Sequence, residues 1–169
     1  MKMPMRATLL IVLVLTLLLS ACGFHLRGQA AFALPFKTLY IKSADANAPF
    51  ITELKRAIEE NGAQVTDTPE QAQLTLQIVS ESTDQQILSL NNIGQVVEYR
   101  LYYRISYQAY DKNQREWLAP DEITLQRDYS YDVTQVIAKQ QEATMLYQDM
   151  RGDAVQQMLR RLDHAKAPL

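Results

Sequence analysis

The sequence is poor in the residues on which most enzymes and metal proteins depend. It contains one cysteine and two histidines in 169 residues. One cysteine cannot form an internal disulfide, and His25 and His164 are too few and too poorly placed for a metal cluster or a catalytic triad. No G-x-S-x-G, H-E-x-x-H or P-loop spacing occurs. We therefore predict no catalytic site, metal or cofactor, and leave a hydrolase built from scattered Asp and Glu as the alternative.

An excess of positive charge is also lacking. The chain has 17 basic and 19 acidic residues, and two of the basic ones, Lys2 and Arg6, lie within residues 1–21. The remainder carries a net charge of −4. There is no basic tail and no aromatic-basic RNA motif, so we expect no nucleic-acid partner.

Residues 1–21 have the organisation of a secretory signal. Lys2 and Arg6 precede an apolar stretch, and the small residues Ser20 and Ala21 follow it. The alternative is a transmembrane helix, which needs about 20 apolar residues. The stretch that starts at Ala7 ends at Ala21 and no basic stop-transfer cluster follows, so we predict a signal peptide at 1–21.

Cys22, the sole cysteine, follows this segment directly. The run Leu19-Ser20-Ala21-Cys22 resembles a bacterial lipobox, in which the cysteine sulfur receives a diacylglyceryl group and the signal is cut before it. The alternative is an ordinary signal with a chance cysteine. We predict that Cys22 is lipidated and anchors the chain to a membrane. The predicted organisation is a lipidated extended lead at 22–36, a single domain at 37–165 and a tail at 166–169.

Hydrophobic periodicity in the mature part predicts alternating strands and helices. The closing helix has an apolar stripe of Leu146, Met150, Ala154, Met158 and Leu162. The other predicted elements are a short strand in 37–43, a helix with a cap at Asn47, Pro49 in its first turn and an exit at Gly62, a strand at Leu74–Ile78 continuing with a break through Ile87–Leu90, a long strand at Val96–Tyr110 and its partner at Ile123–Tyr131.

The long strand has the clearest pattern. Apolar and aromatic residues alternate with polar ones over roughly 50 Å of extended chain. One apolar sheet face and two striped helices predict an α+β two-layer sandwich, with two helices on one face of a mostly antiparallel four-stranded sheet that contains one long hairpin. The other face carries Tyr102 and Tyr110 among charges, which suits a wet partner interface. The strand propensity of tyrosine is the alternative explanation.

The stretch after Cys22 resembles a known family. "GFHLRG", from Gly23 to Gly28, is similar to the start of the mature lipoproteins of the LptE family, which act in lipopolysaccharide (LPS) assembly. The resemblance continues in "TLYI", "LKRAIEENGAQV", "IGQVVEYRLYYRISY" and "IAKQQEATMLYQDMRGDAVQQMLRRL".

The resemblance implies an outer-membrane lipoprotein on the periplasmic side. Members of the family sit inside the lumen of a large β-barrel, LptD, help to assemble it, and bind LPS on its way to the cell surface. Gly23 after the cysteine is similar to lipoproteins that are sent to the outer membrane. A different lipoprotein adaptor, serving a general outer-membrane protein assembly machine, is the alternative.

The resemblance also implies where LPS binds. A basic residue at the head of the last helix contacts the ligand, and here it is Lys139. A second basic residue is expected in the turn before the long strand, where this sequence has Asn92. Arg100, Arg104 and Arg127 are candidate substitutes, because phosphate binding needs a cationic donor. The alternatives are that Lys139 is a solvated surface lysine and that the asparagine only forms a turn.

Overall fold

The computed structural model describes residues 32–167. The predicted signal peptide and Cys22 lie outside the described residues, as do residues 23–31 of the predicted lead. The described chain begins as an irregular segment, and the backbone N–H of Phe32 donates to Asn61 Oδ1 at 2.8 Å. This bond and the packing of Phe32 and Leu34 against the core attach the segment to the domain.

The sheet has five strands in the order β2-β1-β3-β4-β5. Strand β1 pairs in parallel with β2 and β3, whereas β3, β4 and β5 form antiparallel pairs. The prediction of four mostly antiparallel strands is therefore wrong in detail. The strand that it missed, β2, is too short to show periodicity. The strands are β1 Thr38–Lys42, β2 Gln64–Thr66, β3 Leu74–Leu90, β4 Val96–Asp111 and β5 Glu116–Ser130.

Within residues 32–167, two α-helices complete the fold, α1 at Pro49–Glu60 and α2 at Val136–Asp163. Pro49 occupies the first turn of α1 as predicted, but the N-cap is Ala48 and makes no side-chain cap bond. The prediction of Asn47 as cap is wrong, because the Ala48 carbonyl accepts the first helical bond, from the N–H of Thr52 at 3.0 Å, which makes Asn47 one residue too early. Gly62, with φ 83°, takes the left-handed conformation just beyond the helix that glycine allows.

Strands β3 and β5 are longer than the sequence pattern suggested. The predicted break in β3 is a bulge at Val79, where the register with β4 shifts between Ile78 and Ser80. Strand β5 begins at Glu116 rather than at Ile123. A bulge near Pro120 interrupts the alternation there, which explains why the pattern appeared to start later.

The core lies between the helices and one face of the sheet. On β4 the predicted inward residues Leu101, Tyr103, Ile105 and Tyr107 are buried, and the residues that alternate with them are half-buried. The stripe of α2 is buried from Met150 onward, and Arg151 reaches Glu53 of α1 at 3.1 Å. The predicted two-layer α+β arrangement is thus confirmed. The second sheet face has no layer over it within the described residues.

The β4–β5 turn is held by the carboxylate of Asp111. Its Oδ1 accepts from the N–H groups of Asn113 (2.8 Å) and Arg115 (3.0 Å), and its Oδ2 accepts from Arg115 Nε at 2.8 Å. Burial acts to raise the pKa of Asp111, but these hydrogen bonds together lower it below its usual value. The lowered pKa means that the charged form stabilises the fold above about pH 4, and that this contribution is lost as the pH falls through the folded-state pKa.

We expect Asp111→Asn to lower the melting temperature at neutral pH and to flatten its decline below about pH 4, because the amide cannot titrate and offers one acceptor oxygen. Thermal melts across an acid pH series measure both effects. Asp67→Asn, which alters an exposed carboxylate, is the matched control and should leave the melting curve and its pH dependence nearly unchanged. Parallel pH profiles for the Asp111 variant and the parent would contradict the assignment.

Candidate functional site

The β3–β4 turn and the start of α2 lie at the same end of the sheet. Strand β4 starts at Val96, directly after the turn, and Glu98 pairs with Ser130, the last residue of β5. From α2, Lys139 Nζ reaches Ser130 Oγ at 3.1 Å. We call this end, formed by residues 87–98 and 130–139, the tip. It brings the turn containing Asn92 and the first basic residue of α2 to one end of the molecule.

Lys139 is held in place rather than free in solvent. Its Nζ donates to Glu142 Oε2 at 2.8 Å, one helical turn away, and its side chain is only 15% exposed. Lys139 is therefore a half-buried, ion-paired lysine, and the contact with LPS stays a prediction. Glu142 is more exposed than its partner, so an anion that arrives at the tip can replace its carboxylate at the ammonium group.

Asn91 shapes the turn that presents Asn92. The Asn91 Oδ1 accepts from the N–H groups of Ile93 (3.1 Å) and Gln95 (2.9 Å), and Gly94 takes φ 79°. Asn92 itself is exposed at the tip and offers amide donors without a charge. This turn therefore offers no cation where the resemblance implies a second basic residue.

The surface of the tip is unusually apolar. The side chain of Ile93 in the turn is 77% exposed and that of Ile137 at the start of α2 is 74% exposed. No exposed apolar surface was predicted at this end of the molecule, although the apolar residues around "NNIG" and "VIAK" indicate one. Exposed apolar side chains gathered at one end of a domain are typical of a contact surface. The exposed large apolar residues of the tip are Ile87, Leu88, Leu90, Ile93, Val133, Val136 and Ile137.

Two of the three candidate arginines lie on the uncovered face of the sheet. Arg100 makes a bidentate pair with Asp128 on β5, with distances of 2.7 and 2.8 Å. The hydrogen bond from Arg100 lowers the pKa of Asp128, so the pair is fully charged near neutral pH. The guanidinium carbon of Arg104 lies 4.5 Å from the centroid of the Tyr102 ring, a cation–π contact. Within residues 32–167, Arg104 makes no ion pair.

Arg127 lies on the opposite face of the sheet. Its guanidinium contacts Asp153 of α2 at 2.5 Å, so it ties β5 to the helix layer. The structure therefore does not bring Arg127 together with Arg100 and Arg104. Lys139 is the one candidate cation placed within the apolar tip, and the arrangement there suits an amphiphilic anion, whose charge meets the ammonium group while its apolar part meets the exposed side chains.

The described residues show neither a membrane-spanning helix nor a metal site. Within 32–167, no helix combines the length and the apolar character needed to span a bilayer. The same part of the chain contains no group of three or more His, Cys, Asp or Glu side chains close enough to hold a metal ion.

Comparison with known proteins places the chain in a family. The family model for lipopolysaccharide assembly, LptE, matches residues 36–162. The LPS-assembly lipoprotein LptE of Yersinia enterocolitica is 26% identical over 158 residues, which cover 93% of this chain and 75% of that protein.

Solved structures of bacterial lipoproteins have the same fold. An uncharacterized lipoprotein B from Nitrosomonas europaea superposes with a TM-score of 0.69 at 38% identity, covering 82% of this chain and 88% of its own. The rare lipoprotein B of Shewanella oneidensis gives a TM-score of 0.66 at 25% identity, with 73% and 92% coverage. The fold is thus the two-layer α+β domain of these lipoproteins. With most of its length matched, the chain belongs to the LptE family of lipopolysaccharide-assembly lipoproteins.

Proposed function

We propose that this protein is a non-enzymatic, outer-membrane lipoprotein, anchored through Cys22 on the periplasmic side. In this role it plugs an LptD-type β-barrel, helps the barrel to assemble, and binds LPS during its transport to the cell surface. The family match and the relatives named LPS-assembly lipoprotein support the role in LPS assembly. The geometry of the tip supports the binding of an anionic amphiphile.

The single observation that carries LPS binding is the position of Lys139 within the apolar tip. LPS combines phosphate groups with acyl chains, and a lysine ammonium is a strong donor to phosphate. Ile93 and Ile137 offer exposed apolar surface at the same end of the molecule. The exposed amide of Asn92 adds neutral donors, where a second cation was expected from the resemblance.

The chemical character of the uncovered sheet face supports the proposed role as a barrel plug. This face combines the Arg100–Asp128 pair with Tyr102, Arg104 and other polar side chains. The interior of an outer-membrane barrel is polar, so a mixed charged and aromatic face can lie against such a wall, with Arg104 free to pair with an acidic or polar group there.

Depletion of the protein in its own host tests the proposal. We expect less correctly assembled barrel, measured by its mobility on electrophoresis without heating, and less LPS at the cell surface, measured by surface labelling. Re-expression of the full chain should restore both. Unchanged barrel and LPS levels would overturn the proposal, whereas a loss of many unrelated barrels would favour the general assembly adaptor.

Replacing Cys22 by Ala is expected to remove the anchor. Lipid transfer requires the thiol, and the lipoprotein peptidase requires the modified cysteine, so the variant should accumulate as an unprocessed precursor. Metabolic labelling with palmitate followed by immunoprecipitation measures the modification. Ser20→Ala keeps a small residue before the cysteine and serves as the control, which should still be labelled. Palmitate on the Cys22 variant would show that the lipobox interpretation is wrong.

A further inference from the structure

Strand β3 extends far beyond the strand that pairs with its outer side. Strand β1 pairs only with the β3 residues from Leu74 to Gln77, but β3 continues to Leu90. From Ser80 to Ile87 it pairs with β4 in unbroken register. Over this stretch, about 27 Å long at about 3.4 Å per residue, no strand within residues 32–167 pairs with its other side. Half of its backbone N–H and C=O groups therefore point to a free edge.

This edge lacks lysine and proline, two of the residues by which proteins usually block unwanted strand pairing. Between Ser80 and Ile87 there is no Lys, Arg or Pro. The charges of the stretch are Glu81 and Asp84, and the bulge at Val79 lies just before it. The opposite edge of the sheet, β5, contains Pro120 with a bulge beside it, and it carries Arg127. The β5 edge thus carries a proline and a basic residue, and the stretch from Ser80 to Ile87 carries neither.

A groove lies where β1 would continue along this edge. The chain leaves the sheet after Lys42 and turns into α1, which opens a cavity of about 400 Å³ between the α1 entrance and β3. Of residues 32–167, the charged ones that line it are Asp45 and Glu81, and none of them is basic. The groove is bordered on the β3 side by Val79, whose side chain is exposed.

The edge is available for main-chain pairing at nearly all of its backbone groups. One side chain of the described residues bonds to the backbone of the stretch: the Tyr147 hydroxyl donates to the Asp84 carbonyl at 2.9 Å. Glu81 accepts from the Tyr103 hydroxyl at 2.5 Å, which orients its carboxylate without neutralising it. Ser80, Ser82 and Thr83 are small enough to let another backbone approach.

We propose that the β3 edge from Ser80 to Ile87, with the adjoining groove, accepts an extended segment of the barrel partner as an added strand. The inference rests on the proposed function, since it names how that partner is held. Main-chain hydrogen bonds to a sheet edge give affinity, and side-chain pockets give selectivity. Because Asp45 and Glu81 are the charges at the groove, the segment carries a Lys or Arg there, together with an apolar residue against Val79.

Amide hydrogen exchange on the full chain, alone and in the purified complex with its barrel, tests the proposal. We expect the free-edge amides between Ser80 and Ile87 to exchange at least about tenfold more slowly in the complex. The amides of Ile123–Arg127 on the β5 edge provide the internal comparison and should change less. If a barrel co-purifies and the β3 edge is not selectively protected, the proposal is wrong. If no barrel co-purifies, the proposed function fails instead.

A proline pair gives a second, independent test. Of two neighbouring residues in a strand, one N–H points to β4 and the other to the free side, so Ser82→Pro and Thr83→Pro differ in what they disrupt. A proline that removes an N–H bonded to β4 should lower the melting temperature. The variant that keeps the melting temperature of the parent is therefore the one that lost an N–H pointing to the free side. We expect that variant to retain at most about a tenth of the parent's affinity for the barrel, because proline also obstructs strand approach. Parent-like affinity would overturn the proposal.

Discussion

Leu101→Asp is expected to leave the domain largely unfolded at room temperature. Leu101 is fully buried on β4 and faces the helix layer. A carboxylate at that position would be unpaired in an apolar environment, at a cost of several kcal/mol. Domains of this size are stable by about 5–15 kcal/mol in total, so one such change removes much or all of the stability.

The matched control places the same new charge on the other face. Gln126 lies on β5 in the uncovered face, where it pairs with Tyr102 and is exposed. Gln126→Asp should change the free energy of unfolding by no more than about 0.5 kcal/mol. Circular dichroism melts compare the two variants. A folded Leu101 variant, or a Gln126 variant that is the less stable of the two, would mean that the two faces are assigned the wrong way round.

Lys139→Gln is expected to weaken LPS binding by about 10- to 150-fold, equivalent to about 1.5–3 kcal/mol for the loss of one charge-assisted contact. The fold should survive, because the substitution removes only the ion pair with Glu142, and the exposed Glu142 carboxylate remains hydrated. Titration of the domain from Gly23 onward with LPS, together with a melting curve, separates the binding effect from any effect on folding.

Two further variants make this prediction specific. Arg161 also forms an ion pair, with Asp121 at 2.8 Å, near the end of α2 that lies away from the tip. Arg161→Gln removes one positive charge and should leave LPS affinity unchanged. Glu142→Gln removes the carboxylate that competes for Lys139, so it should preserve or increase affinity. Equal losses for the Lys139 and Arg161 variants would show that only overall charge matters, and would contradict a phosphate contact at Lys139.

The strands that could be predicted are those with long uninterrupted alternation. The inward series on β4, such as Leu101 and Ile105, follows from period 2 alone and is confirmed by burial. The short β2 has no such pattern. Its position is determined by parallel pairing with β1, from which it is separated in the sequence by α1. The start of β5 was hidden because the bulge near Pro120 shifts the alternation by one residue.

The candidate site was only partly accessible from the sequence. Position parity could have assigned Arg127 to the helix side, since it shares the face of Leu125 and Tyr129, which are buried. The partial burial of Lys139 could not be foreseen, because it depends on the tertiary approach of Ser130 and on Glu142. The exposure of Ile137 likewise depends on which residues pack against the first turn of α2, which the sequence pattern of the helix does not show.

The central claim is that this lipoprotein works as the plug of an LPS-export barrel. The most direct measurement is affinity purification of the tagged full chain from detergent-extracted outer membranes, with mass-spectrometric identification and stoichiometry of what remains bound. The account predicts one LptD-type barrel in equimolar amount, with LPS in the same complex. A preparation that contains a general barrel-assembly machine instead, or that contains no barrel, would contradict it.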